Sequence, residues 1–139
     1  MNTVYRFRIY PNKSQRELFA ETFGCVRFVY NRMLAEKKAY YEKTGKNLSV
    51  TPARYKSEFP WLKEVDSLAL CNAQLHLQTA YKNFFRDASV GFPKFKSKKK
   101  PVRSYTTNCV NGNIILQNGR LKLPKAGWVR MKQHRKIEE

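Results

Sequence analysis

Residues 88–137 carry thirteen Lys and Arg side chains and not one Asp or Glu. A fold built from this half of the chain cannot neutralise itself with internal ion pairs. Its cations must face outward, and their mutual repulsion favours a polyanionic partner. The densest run, G-F-P-K-F-K-S-K-K-K at 91–100, alternates flat rings with cations before three lysines in a row. Ammonium groups suit phosphates and rings suit bases or sugars, so nucleic acid is the first partner class to consider. Residues 1–87 differ, with fifteen basic and eight acidic side chains, and many of these charges can be satisfied within the fold.

At 139 residues, with a net charge of +18, the chain has the size of one domain or of one domain with an insertion. Aromatic residues make up 14%, far more than a disordered basic tail contains, so a real core is expected. Cys25, Cys71 and Cys109 lie far apart, and with His76 and His134 they form no zinc-site spacing. They read as reduced thiols of a cytoplasmic protein, and no metal or other cofactor is expected. There is no signal-like apolar run and no stretch of ~20 apolar residues, so no membrane partner is expected either.

The alternation T-V-Y-R-F-R-I-Y at 3–10 predicts a strand with Tyr5, Phe7 and Ile9 on its core face and Arg6 and Arg8 on the other. Pro11 and Asn12 end it. A long helix follows, opened by a capping box at Asn12…Gln15 or Ser14…Glu17, and its apolar positions recur at three- and four-residue steps toward Tyr40 and Tyr41. Gly45 suits its left-handed cap. Gly24, mid-helix, weakens it and marks a close approach of another element.

Residues 46–63 read as a polar connection with a short helical piece at 52–57 and an apolar knot at Phe59-Pro60-Trp61-Leu62. Asp66 is a good N-cap for a second long helix, with Val65 and Leu70 placed as a hydrophobic staple. The simplest arrangement of two long helices joined by a folded-back loop is an antiparallel pair. Strands are predicted again at 104–110, 113–116, 120–123 and 128–132, with Asn118-Gly119 as a tight hairpin turn. The fold class is therefore α+β: a small antiparallel sheet or barrel with a long helical-hairpin insertion between its first and second strands. The divisions fall at 1–11 for the first strand, 12–90 for the helical insertion, 91–103 for a basic linker and 104–139 for the remaining strands.

Six blocks now carry a resemblance. They are R-F-R-I-Y-P-N at 6–12, G-C-V-R-F-V-Y-N at 24–31, W-L-K-E-V-D at 61–66, A-Y-K-N-F-F-R at 80–86, the basic run at 91–100, and G-R-L-K-L-P-K-A-G-W at 119–128. Together they resemble the N-terminal portion of TnpB, also called OrfB, the transposon-encoded RNA-guided DNA endonucleases related to type V CRISPR effectors. The resemblance implies a wedge-like β-barrel with an inserted helical recognition lobe, often labelled a transposase helix-turn-helix domain. It implies that lobe and barrel hold guide RNA and read a short motif beside the DNA target. The family's RuvC-like nuclease domain follows in its longer chains, so the expectation here is a chain truncated before it, one that binds without cutting.

Candidate binding residues follow from both readings. Lys94, Phe95, Lys96, Lys98, Lys99, Lys100 and Arg103 form the main group, with Phe92 and Phe95 either anchoring the segment or stacking on bases. Arg6 and Arg8 on the first strand, and Arg120, Lys122, Lys125, Arg130 and Lys132 on the later strands, extend the cationic track. Arg27 and Asn31, one helical turn apart, either face nucleic acid or brace the neighbouring helix. The resemblance places motif reading at the start of the second helix and in the loop before the hairpin, which points to Ser67, Cys71, Asn72, Gln74, Asn108 and Asn111. Ser67 and Cys71 are shorter than the polar residues expected there.

Two-metal cleavage needs several convergent carboxylates, and the ten acids of this chain show no such set. No catalysis by the chain alone is expected. The expected partners are structured guide-type RNA and duplex DNA. Two other readings stay open: one half of a split endonuclease completed by a separate RuvC-like polypeptide, and a DNA-binding regulator that dimerises through an open sheet edge.

Overall fold

The computed structural model describes residues 3–99 and 102–132. The order of elements is β1 (Arg8–Tyr10), α1 (Lys13–Thr44), α2 (Ala53–Lys56), a 3-10 turn (Pro60–Glu64), α3 (Ser67–Arg86), a second 3-10 turn (Ala88–Val90), β2 (Ile115–Gln117), β3 (Arg120–Leu123) and β4 (Gly127–Lys132). Two compact units divide the chain, one comprising Met1–Phe19 with Asn108–Glu139 and the other Ala20–Thr107. The fold is thus mixed helix and antiparallel sheet.

The first unit is a four-stranded antiparallel sheet in the order β1-β4-β3-β2, which brings the first strand beside the last across the whole helical insertion. Arg8 lies opposite Lys132, Ile9 opposite Met131 and Tyr10 opposite Arg130. β1 is shorter than the alternation at 3–10 predicts, pairing with β4 over Arg8–Tyr10. The alternation itself persists: Tyr5, Phe7 and Ile9 are half-buried while Arg6 and Arg8 are exposed. Asn118 and Gly119, with φ of 48° and 73°, form the two-residue turn between β2 and β3, the conformation whose twist matches a hairpin. Val129 and Met131 are buried on the inner face.

The predicted capping box opens α1. The Gln15 amide nitrogen donates to Asn12 Oδ1 at 2.8 Å, and the Asn12 amide donates to Gln15 Oε1 at 3.0 Å. Gln15 is itself buried, and its Nε2 donates to the carbonyls of Ala126 and Trp128 at 3.2 and 2.8 Å, tying the first turn to β4.

Residues 104–110 do not form the predicted strand. Their polar groups are taken by side chains instead. The Thr107 hydroxyl donates to the Asp66 carboxylate. The Val110 amide donates to Asn113 Oδ1 at 2.6 Å, and Asn113 Nδ2 donates to the Asn108 carbonyl at 3.1 Å. That turn, with Asn111 at φ 54° and Gly112 at φ 72°, also delays the start of β2 to Ile115.

The second unit is built on the buried faces of α1 and α3. Cys25, Val29, Met33 and Leu34 from α1 and Ala69, Leu70, Ala73 and Leu77 from α3 are its core, closed by Val50, Tyr55, Leu62 and Val65. Asp66 caps α3 as predicted, its Oδ1 accepting from the Leu68 amide at 3.0 Å.

The helices run in the same direction, against the expected antiparallel hairpin. The connection between them retraces α1 from end to start. Lys37 Nζ donates to the Leu48 carbonyl at 2.6 Å, and the Tyr55 hydroxyl donates to Glu36 at 2.5 Å. Phe28 then packs edge-on against Phe59 and Trp61, and Glu64 comes close enough to Glu21 to raise its carboxyl above the usual range. The chain is therefore back near the start of this unit when α3 begins. From there α3 climbs alongside α1 until Tyr81 lies beneath Lys37 Nζ.

Candidate nucleic-acid interface

After α3 the chain turns back once more, and the basic segment is laid along α1 rather than hanging free. Phe92 packs edge-on against Tyr81 and Phe84, with ring centroids 5.4 and 5.3 Å apart, and Lys38 Nζ stands 6.0 Å over its ring. Asn31 then takes both main-chain groups of Lys96, donating to its carbonyl at 2.9 Å and accepting from its amide at 2.8 Å. The Lys96 ammonium sits 4.6 Å over the Tyr30 ring. Farther on, Tyr105 packs on Phe23 and Thr107 reaches Asp66. The anchor points on α1 run 38, 31, 30 and 23, so the strap descends the helix in order.

This path gathers cations. A cavity of about 150 Å³ is lined by Arg27, His76 and Lys96 together with the rings of Phe23, Tyr30 and Tyr105. A second, open hollow is lined by Arg27, Lys98 and Arg103 around Gly24 and Val102. Arg27, half-buried, borders both. Gly24 marks no close approach, contrary to the reading from sequence: a Cβ there meets nothing within 4 Å, and the residue opens the wall of the hollow. Lys94, Phe95, Lys96, Lys98, Lys99 and Arg103 are all exposed, with Phe95 at 53%. Lys100 falls outside the described residues.

No carboxylate among the described residues pairs with the charges of this strip. Among the described residues the ion pairs join Arg32 and Arg54 to Glu36 and Glu58, and none involves Arg27 or a cation of the strap. Burial raises the Tyr30 phenol, and burial followed by the Asp66 charge raises that of Tyr105, so both rings stay neutral beside the cations. A strip of ammonium and guanidinium groups beside neutral rings is suited to a phosphate backbone carrying bases.

The structure separates the two α1 candidates that sequence spacing joined. Arg27 lines the cationic hollows, and Asn31 is the clamp that holds the strap. At the start of α3, Ser67 and Cys71 are exposed, but Asn72 is buried with its Nδ2 on the Leu68 carbonyl at 2.9 Å. Gln74 donates to the Val50 carbonyl at 2.9 Å. Both amides hold backbone. In the sheet unit, Arg6, Arg8, Arg120, Lys122, Lys125, Arg130 and Lys132 are exposed, as are Asn108 and Asn111. Residues that sequence reasoning missed are Tyr30, His76 and Tyr105. Each comes from a different element, and no local pattern announces their meeting.

Among the described residues, no group of three or more His, Cys, Asp or Glu side chains is placed to hold a metal ion. No described helix is long and apolar enough to cross a membrane.

Residues 1–46 match the family model of the OrfB IS605 helix-turn-helix domain. A putative RNA-guided DNA endonuclease of Streptomyces pristinaespiralis is 35% identical over 131 residues, covering 88% of this chain and 31% of that protein. The putative RNA-guided DNA endonuclease InsQ of Escherichia coli K12 is 29% identical over 141 residues, covering 96% of this chain and 34% of InsQ. Virulence protein VsdF of Salmonella dublin is 36% identical over 107 residues, covering 65% of this chain and 88% of that protein. The chain thus spans about a third of the length of the two named endonucleases.

Proposed function

Because this chain belongs to the TnpB/OrfB family and matches its N-terminal region, we propose that it is a nucleic-acid-binding module that grips guide-type structured RNA and target-adjacent duplex DNA in the cytoplasm. The observation that carries this reading is the strap. Lys94, Lys96, Lys98, Lys99 and Arg103 are held along α1 beside Arg27 without a carboxylate partner among the described residues. In the absence of a polyanion such an arrangement costs free energy through self-repulsion.

The division of labour follows the family pattern. By that pattern the sheet unit is assigned to the wedge-like barrel and the helical unit, with the basic strap at 91–103, to the recognition lobe. Motif reading falls to Ser67, Cys71 and their neighbours on the exposed face at the start of α3, and backbone gripping to the strap and Arg27. On this reading no cleavage is assigned to this chain, since two-metal hydrolysis needs several convergent carboxylates.

Binding of a structured RNA hairpin and of a DNA duplex, followed by fluorescence anisotropy across a salt series, tests the proposal. If six to ten phosphates are engaged, affinity falls by about 10³–10⁵ between roughly 50 and 200 mM salt. Affinity that does not respond to salt, or protein that purifies free of nucleic acid and ignores both probes, sinks it.

A further inference from the structure

Among the described residues, the outward face of the sheet has no acidic side chain and a single aliphatic one, Ile115. Its nine described side chains are Arg8 and Tyr10 from β1, Ile115 and Gln117 from β2, Arg120 and Lys122 from β3, and Trp128, Arg130 and Lys132 from β4, all of them exposed. The register sets them in rows across the strands. Arg8 faces Lys132; Tyr10, Arg130, Arg120 and Gln117 form a second row; Trp128, Lys122 and Ile115 form a third.

Two like-charged pairs, Arg8 with Lys132 and Arg120 with Arg130, therefore stand directly opposite one another, an arrangement that destabilises a sheet left to itself. A sheet surface selected for its own stability would place an acid in at least one of those positions. The rings are as telling as the charges. Trp128 is 41% exposed and Tyr10 44% exposed. The Arg130 guanidinium lies 5.6 Å over the Tyr10 ring, a flat layered pair on an open surface. Gln117, Asn118 and Arg120 share a shallow depression with Trp128, which puts amide donors and acceptors beside its partly exposed ring.

Resting on the nucleic-acid reading above, we infer that this face is a stacking platform for an unpaired stretch of nucleic acid. Trp128 and Tyr10 take bases, the amides of Gln117 and Asn118 meet a base edge, and the five cations take the phosphates. Rings lying on an open sheet reward bases that are free to leave their own stack, whereas a duplex keeps its bases covered and offers phosphates alone. The platform lies in the sheet unit and the strap in the helical unit, so each is open to separate mutation.

The test uses the full chain and three probes of about a dozen nucleotides, a length within the usual site size of such platforms: oligo(U) RNA, oligo(dT) and a blunt DNA duplex. Trp128→Ala is expected to weaken both single strands by about 5- to 150-fold, Trp128→Phe to recover most of the loss, and duplex binding to change little. In a Trp61→Phe background, where Trp128 is the remaining tryptophan, either oligonucleotide is expected to quench its emission. Oligo(U) against oligo(dT) shows whether RNA or DNA is the preferred source of the strand. Unchanged single-strand affinity in Trp128→Ala, absence of quenching, or equal losses on duplex and single strands would each overturn the platform. If Arg27→Ala still weakens the duplex in that event, the strap reading survives. A wild-type chain that binds none of the probes removes both.

Discussion

Asn31 grips Lys96 by its main chain on both sides, with the Lys96 carbonyl 2.9 Å from Nδ2 and the amide nitrogen 2.8 Å from Oδ1. One carboxamide thereby fixes the backbone of a segment whose own sequence encodes no regular structure, and leaves the lysine side chain free to lie over Tyr30. Binding groups held in place before the ligand arrives lose less entropy when it does.

Asn31→Ala should therefore uncouple the strap without touching a cation. Two neutral hydrogen bonds are lost, at about 1 kcal/mol each, so the fold survives. Limited trypsin digestion is expected to cut at Lys94–Lys99 several-fold faster than in wild type, with nucleic-acid affinity reduced. Equal cleavage rates would show that the clamp holds nothing.

The role proposed for Arg27 is electrostatic. Arg27→Ala, and separately Lys98→Ala, should each lower the slope of log affinity against log salt by about 1, and weaken binding evenly across sequences. The same slope in wild type and variants would remove these residues from the phosphate track.

Asp66 serves two elements at once, capping α3 through Oδ1 and accepting the Thr107 hydroxyl through the other oxygen. Loss of an N-cap costs about 1 kcal/mol and loss of a bond to a charged group about 1.5–3 kcal/mol. Asp66→Ala should thus destabilise by about 2–4 kcal/mol in urea denaturation, and Thr107→Val by the smaller share that excludes the cap. If Thr107→Val costs as much as Asp66→Ala, the cap contributes nothing measurable.

Gly24 lies inside α1 with open space where a side chain would go. Gly24→Ala should stabilise the protein by about 0.5–1 kcal/mol, since the helical backbone no longer has to be ordered from a glycine ensemble. A lower denaturation midpoint in this variant would mean that the residue serves something other than the helix.

The cysteines differ in reactivity. Cys71 and Cys109 are exposed, while Cys25 is buried, its thiol pushed up to about 11 by burial first and then by the negative charges of Glu21 and Glu64. Near pH 8 only about one Cys25 in a thousand is thiolate, and that fraction grows tenfold per pH unit until the thiol titrates. A disulfide reagent at that pH should modify two thiols rapidly and the third only on unfolding. Three fast equivalents would contradict the packing around Cys25.

Features decided within a few residues were legible before the structure. The Asn12–Gln15 box, the Asp66 cap and the Asn118-Gly119 turn each depend on neighbours in sequence, and each formed where it was expected. The relative direction of α1 and α3 was not legible. It depends on residues 45–66 retracing α1 through pairs such as Lys37 with Leu48 and Glu36 with Tyr55, which no periodicity announces. Residues 104–110 alternate as a strand does, yet Asp66 and Asn113 claim their polar groups first. The charge of the strap was plain in the sequence. Its attachment was not, because Asn31 spends its carboxamide on the main chain of a residue 65 positions away, while Arg27, one turn earlier, lines the hollows beside the strap.

Two helices laid side by side in one sense bring their like poles together. At the far end of the lobe, where Tyr41 and Phe85 border one hollow, the carboxyl ends of α1 and α3 each present a partial negative charge. An antiparallel pair would cancel this field by itself. Here the neutralising charge has to come from side chains, and each final turn supplies one, Lys43 on α1 and Arg86 on α3.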